Sequence, residues 1–197
     1  MRALICVIGA TLLLSGAAGA LNLLTNPSFE DPDVAPGTAE IFPDSIPGWT
    51  DTSGCGIEVQ DHCCGSPSQG DQHVELNTTC PSAINQIVAT QPGANYVLTF
   101  DFSPRPGVGD NHLLVRWNGG LVFDQAVGGI GLVDTVWTAY VLHVTATGTT
   151  STVEFSDGGF GNGVGPYIDN LPEPGRATQL FAGLLVIAGL ARRRVGR

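Results

Sequence analysis

Apolar and polar residues alternate with a period of two through most of the chain, and no helical period of any length appears between its two ends. Tyr96, Leu98, Phe100 and Phe102 alternate with Val97, Thr99 and Asp101. Leu113, Val115 and Trp117 do so with Leu114 and Arg116, and Tyr140, Leu142 and Val144 with Val141, His143 and Thr145. Each run predicts a strand with one face in a core. Shorter strands are expected at 56–60, 73–77, 83–88, 121–125 and 152–156. Turn signals separate them at Pro92-Gly93, Pro106-Gly107, Asn118-Gly119-Gly120 and Thr147-Gly148. About eight short strands with closely spaced turns and no internal repeat predict an all-β sandwich, a jelly roll.

The ends depart from this pattern. Met1-Arg2 precedes an apolar run, Ala3 to Leu14, and then the small residues 15–20. This is the layout of a signal peptide, residues 1–20, cleaved before Leu21. At the other end fifteen uncharged residues, Ala177 to Ala191, precede Arg192, Arg193, Arg194 and Arg197. As a helix they span about 22 Å, short of a bilayer core of roughly 30 Å. They predict a short transmembrane helix, stretched by snorkelling arginines, whose cytoplasmic stop is Arg192, Arg193 and Arg194. The expected domains are thus the signal peptide, a sandwich over 21–171 and a C-terminal segment over 172–197.

Charge narrows the function classes. There is no lysine, and only Arg105 and Arg116 of the eight arginines lie in the sandwich. Seventeen of the 18 acids lie between Glu30 and Asp169, so the body carries a charge near -15. Such a surface repels phosphates and excludes nucleic acid as a partner; it suits cations or neutral polymers. The body holds Cys55, Cys63, Cys64 and Cys80, an even number, which in an exported protein implies two disulfides. A bond between adjacent Cys63 and Cys64 is strained, leaving Cys55–Cys63 with Cys64–Cys80, or Cys55–Cys64 with Cys63–Cys80. A zinc site with His62 and His73 is disfavoured because the cysteines lack C-x-x-C spacing.

Pro172-Glu173-Pro174, the short apolar stretch and the arginine cluster resemble the PEP-CTERM sorting signal. That resemblance implies recognition by an exosortase-type transpeptidase, then a place at the cell surface or in extracellular matrix. A Gram-positive sortase signal fits less well, since Pro174 stands where its threonine belongs, and an ordinary C-terminal membrane helix is the plainer alternative.

A second resemblance covers nearly all of 21–171. It is carried by Asn26-Pro27-Ser28-Phe29-Glu30, Ile46-Pro47-Gly48-Trp49, Gly56-Ile57-Glu58-Val59, His73-Val74-Glu75-Leu76-Asn77, Gln91 to Tyr96 and Tyr167-Ile168-Asp169-Asn170. These look like the galactose-binding-like jelly rolls, nearest to the choice-of-anchor C family and the domain-of-unknown-function-642 group, with carbohydrate-binding modules as more distant relatives. The resemblance implies association with extracellular or cell-wall polysaccharide. It also implies a structural Ca²⁺ held by Glu30 and Asp169 on adjacent first and last strands, with Asn26 adding an oxygen and backbone carbonyls and water completing the shell.

A glycan site needs an aromatic face and hydrogen-bonding side chains. Trp49 and Trp137 read as core. Trp117, beside its turn, and the polar loop residues Arg105, Asp110 and Asn111 are the ligand candidates. The glycine-rich stretch 158–165 lacks the Lys-Ser/Thr ending of a phosphate loop. No G-x-S-x-G or H-E-x-x-H occurs. The expectation is a non-catalytic carbohydrate-binding module; a matrix or adhesion protein without a small ligand is the alternative, and a glycoside hydrolase a more distant one.

Overall fold

The computed structural model describes residues 23–171. The expected signal peptide, Pro172, Glu173 and Pro174, the apolar helix and Arg192, Arg193 and Arg194 lie outside the described residues. Among the described residues no helix is long and apolar enough to cross a membrane.

Among the described residues twelve strands form in chain order: β1 (Thr38–Phe42), β2 (Ser45–Ile46), β3 (Trp49–Asp51), β4 (Ile57–Asp61), β5 (Gln72–Glu75), β6 (Ala83–Ala89), β7 (Asn95–Ser103), β8 (His112–Trp117), β9 (Gly120–Ala126), β10 (Thr138–Thr145), β11 (Thr150–Asp157) and β12 (Tyr167–Asp169). They make two six-stranded antiparallel sheets, one ordered β1-β4-β5-β12-β7-β10 and the other β2-β3-β6-β11-β8-β9. The long alternating runs fall where the periodicity puts them. β7 and β10 pair with Tyr140 opposite Phe100 and Leu142 opposite Leu98, which fixes the face each side chain takes.

That register sets the core. Ile57, Val59, Val74, Leu98, Phe100, Phe102 and Ile168 of the first sheet meet Trp49, Ile84, Leu113, Val115, Val153 and Phe155 of the second, all buried. Phe100 joins the layers, edge-on to Phe155 at 5.2 Å and stacked on Tyr140 at 5.6 Å. Trp49 is core, as its motif predicts, and its indole N–H donates to the Asn26 carbonyl.

Three strands exceed the predicted set near the N-terminus. β1 is exposed at four of its five positions, so it has no buried alternation to announce it and is held by its pairing with β4. β2 and β3 span two and three residues, too short for a period to show. The disulfide expectation is corrected. Cys55 is bonded to Cys80, joining the connections that lead into β4 and β6, and Cys63 and Cys64 are free thiols. The turn after Cys55 and the Cys80 connection bring their Cα atoms to 5.6 Å, inside the range a disulfide requires.

β12, the last strand, inserts between β5 and β7 in the middle of the first sheet. Strands in such a place have two faces to satisfy. Ile168 points to the core, while Tyr167 and Asp169 point outward beside Glu75, Ser103 and Asp101.

Candidate functional site

The outer face of the first sheet carries Gln60, His73, Glu75, Asp101, Ser103, Tyr167 and Asp169, and all are buried. What covers them is the connection between β4 and β5, residues 62–71, which crosses that face as a strap. Ser66 holds Asp134 through its backbone N–H and its hydroxyl, both at 2.8 Å. The Ser66 carbonyl accepts from the Trp137 indole at 2.8 Å and from the Thr135 hydroxyl at 2.6 Å. Ser68 and Gln69 donate their N–H groups to Asp169 Oδ2 at 2.8 Å each.

One polar cluster under the strap centres on Glu75. Its carboxylate accepts from Arg105 Nη1, from Gln60 Nε2 at 2.5 Å and from the Gly165 N–H at 2.7 Å. Burial pushes the Glu75 pKa up to about 7, with Arg105 and the Gly165 N–H working the other way. Burial works most strongly against the Arg105 charge, but the Glu75 carboxylate together with Tyr167 and Cys64 raises the guanidinium pKa. The Arg105 guanidinium lies 5.9 Å from the Tyr167 ring centroid. Its side chain retains 21 % exposure, so this buried pair presents one charged tip to solvent.

His73 is the anomaly of the face. It is fully buried between Tyr167, 4.5 Å away, and Trp137, 5.7 Å away between ring centroids, and neither ring nitrogen has a hydrogen-bond partner. Burial lowers its pKa to about 3, so the ring is neutral. Gln60 Oε1 is likewise buried without a donor. An unpaired polar group in an apolar site costs about 1–3 kcal/mol, and replacing it by an apolar isostere recovers some of that. His73→Phe is therefore expected to leave the melting temperature unchanged or raise it by a few degrees in calorimetry; a fall of 5 °C or more, roughly 2 kcal/mol for a chain this size, would show that the imidazole is held by a bond.

The second cluster centres on Asp169. Besides Ser68 and Gln69 it accepts from the Asn170 N–H, and burial raises its pKa to about 7, Glu30 adding to the rise. Glu30 accepts from the N–H groups of Asp71, at the end of the same strap, and of Gln72, the first residue of β5. Gly70 fits there because a Cβ would collide with the Glu30 carboxylate. Asp101 adjoins through Ser68 and Asn170. The structure thus brings Glu30 and Asp169 to one loop, with two corrections. Glu30 lies in the loop before β1, not on a strand. Asn26 is turned away: its amide holds Asp31 and the Pro47 carbonyl. Among the described residues no group of three His, Cys, Asp or Glu side chains converges on a metal position. Glu30 and Asp169 are bound by neutral N–H donors.

The ligand candidates separate. Arg105 belongs to the Glu75 cluster. Asn111 is fully buried and shapes its own loop, accepting from the Arg105 N–H and donating to the Val108 carbonyl. Asp110 ties that loop to the next by accepting from the Phe160 N–H at 2.8 Å. Both are structural. Trp117 sits at the far end of β8, packed on the core near Tyr96 with its indole N–H on the Thr145 carbonyl. Trp137, expected in the core, instead lies partly exposed against His73 on the outer face. A cavity of about 190 Å³ opens beside Pro104 and Val136, floored by Phe102 and Tyr140. Phe102 and Tyr140 lie on the core side of β7 and β10, so this cavity opens on the opposite side of the sheet from His73 and Tyr167. The volume is below the 300–1,000 Å³ of a drug-sized pocket, enough for part of a larger ligand.

Sequence reasoning missed Glu75, Gln60, His73, Tyr167 and Trp137. One signal was present: β5 reads Gln-His-Val-Glu, polar on both sides, yet every position is buried. A strand with polar residues on both faces in mid-sheet must meet a partner on each.

Two solved structures are similar in fold. The family 35 carbohydrate-binding module from Paenibacillus barcinonensis is 19% identical, covering 71% of this chain and 99% of that one, with a TM-score of 0.43. The native family 35 module from Clostridium thermocellum is 13% identical, covering 67% and 94%, with a TM-score of 0.44. A multifunctional-autoprocessing repeats-in-toxin protein of Vibrio vulnificus is 26% identical over 162 residues, 80% of this chain. The chain spans only 3% of that relative's length. The model of one family, described as a protein of unknown function (DUF642), matches residues 22–172. The chain belongs to the DUF642 family.

Proposed function

We propose that this protein binds a neutral polysaccharide without cleaving it, at the lip formed by Arg105 and Trp137 on the outer face of the first sheet. The observation that carries this reading is the Glu75–Arg105 pair, in which Glu75 is held by three donors while Arg105 keeps 21 % exposure and is linked through the Tyr167 and His73 rings to the partly exposed Trp137 indole. Such a tip donates hydrogen bonds to hydroxyls, and the ring offers an apolar face to a sugar's C–H groups. The surrounding Glu58, Asp101, Asp134 and Asp169 disfavour an anionic polymer. A panel of neutral and charged polysaccharides in affinity electrophoresis tests it. Retardation by a neutral glycan, lost in Trp137→Ala, is expected; retardation by none contradicts it.

A second reading, adhesion through protein contacts, draws on Ile130, Val133 and Phe160, which are 73%, 100% and 79% exposed on the two loops that flank Asp110 at the same end of the sandwich.

Calcium belongs to the proposal as a structural ion. Glu30 and Asp169 would hold it, and it would supply the positive charge their burial lacks. Calcium at about 100 times its Kd is expected to stabilise the protein by about 2.7 kcal/mol, roughly 5–10 °C in melting temperature. Asp169→Asn is expected to abolish that rise, and identical melting in calcium and in chelator would remove the ion from the account. Export, a membrane anchor and exosortase processing at Pro172-Glu173-Pro174 complete the reading; mass spectrometry of the native C-terminus tests them, an intact Arg197 counting against cleavage.

A further inference from the structure

Cys63 and Cys64 open the strap, and their sulfur atoms lie 2.8 Å apart. Bonded sulfurs sit at about 2.05 Å, so closure requires a movement of less than about 1 Å. Both thiols are partly exposed. The backbone between them and the sheet is tied inward, because the Cys64 carbonyl accepts from the Tyr167 hydroxyl at 3.4 Å. Cys55 and Cys80 are bonded to one another and offer no other partner.

We propose that Cys63 and Cys64 form a vicinal disulfide that locks the 62–71 strap across the outer face of the first sheet. The adjacency that argued against this bond on sequence alone is overridden by the backbone of the strap. The strap already brings the two sulfurs to the same side of the chain, 2.8 Å apart, instead of alternating them to opposite sides. The chemistry is thiol–disulfide exchange with a low-molecular-weight disulfide as oxidant. One cysteine sulfur attacks the oxidant and releases one thiol, forming a mixed disulfide. The second sulfur displaces the remaining thiol, so that the pair loses two hydrogens and two electrons and the oxidant gains them. Burial, then the neighbouring Cys64, push the Cys63 thiol up to about 12.

The bond would fix the strap where it matters. Ser66, Ser68 and Gln69, two to five residues on, carry the N–H groups that hold Asp134 and Asp169. An eight-membered ring at the start of the strap removes conformations from its open state. Strained disulfides are also the ones most readily reduced, so the lock is reversible. The proposal goes beyond carbohydrate binding and stands without it, because its readouts are covalent pairing and backbone protection.

The test uses the full chain incubated with oxidised glutathione, alkylated, digested and mapped by mass spectrometry. The expected peptide carries Cys63 and Cys64 unalkylated and lighter by two hydrogens, separate from the Cys55–Cys80 cross-link. Alkylation of both, a glutathione adduct at either, or pairing of either with Cys55 or Cys80 overturns the proposal. Hydrogen exchange then compares the oxidised protein with Cys63→Ser/Cys64→Ser, which keeps Cys55–Cys80 intact. Amides of residues 65, 66, 68 and 69 are expected to exchange roughly fivefold more slowly in the oxidised protein, the factor that about 1 kcal/mol of added local stability gives. Equal exchange overturns the lock even where the bond forms.

Discussion

Arg105→Met is expected to lower the stability of the protein by about 3 kcal/mol at pH 8, because it leaves the fully buried Glu75 carboxylate without its cation. For a chain of this size that is roughly 10 °C in melting temperature. The loss should shrink on acidification. The folded pKa of Glu75 is raised by burial to about 7 from an ordinary 4.5, so the folded state binds the proton more tightly than the unfolded one. Stability from this group is therefore gained as pH falls from about 7 to 4.5 and lost as pH rises through that window. Without Arg105 the neutral acid is favoured further, and the variant should approach wild type near pH 5. His73 works in the opposite direction, since its lowered pKa makes stability fall as pH drops below 6.5. The readout is thus the difference between variant and wild type at each pH, in which His73 cancels. Glu75→Gln added to Arg105→Met should recover most of the loss at pH 8. A loss that is the same at pH 5 and pH 8 would mean that Arg105 acts through packing alone.

Removing the Cys55–Cys80 bond is expected to be comparably damaging. It closes 25 residues of chain, for which the chain-entropy estimate is about 3.5 kcal/mol. The bond joins the approach to β4 in one sheet to the approach to β6 in the other, and the Thr78 hydroxyl braces it on the Cys55 carbonyl. Chemical denaturation of Cys55→Ala/Cys80→Ala should show the midpoint shifted with an unchanged slope. Wild-type stability in that variant, with Cys63 or Cys64 still unpaired, would contradict the assignment of this bond as the one that ties the sheets.

The strands that alternate cleanly were legible because burial on a single face writes period two into the sequence. Leu98, Phe100 and Phe102 are the clearest case, and Tyr140 and Leu142 pair with them in the register that pattern implies. β1 was not legible, since its Thr38, Ala39, Glu40 and Ile41 are exposed and only hydrogen bonds to β4 define it. At the site the sequence offered residue types without their burial. Arg105 stood out as one of two cations in an acidic body, but its partner lies thirty positions away on β5. Asp110 and Asn111 have the composition of a binding loop and the bonds of a scaffold. Trp137 stands just before β10 and looked like core, whereas it packs on the outer face against His73 of β5 and donates to the Ser66 carbonyl of the strap. Periodicity reports which side of a strand a residue takes; it carries no record of a loop lying over that side.

The chain has three tryptophans, one in the core, one at the far end of β8 and one at the proposed lip, so three indole N–H resonances report on three places. Nitrogen-15 NMR of the protein titrated with the polysaccharide that retards it tests the location directly. The account predicts that the Trp137 indole shifts while those of Trp49 and Trp117 stay in place. A shift confined to Trp117, or binding with all three unmoved, would contradict it.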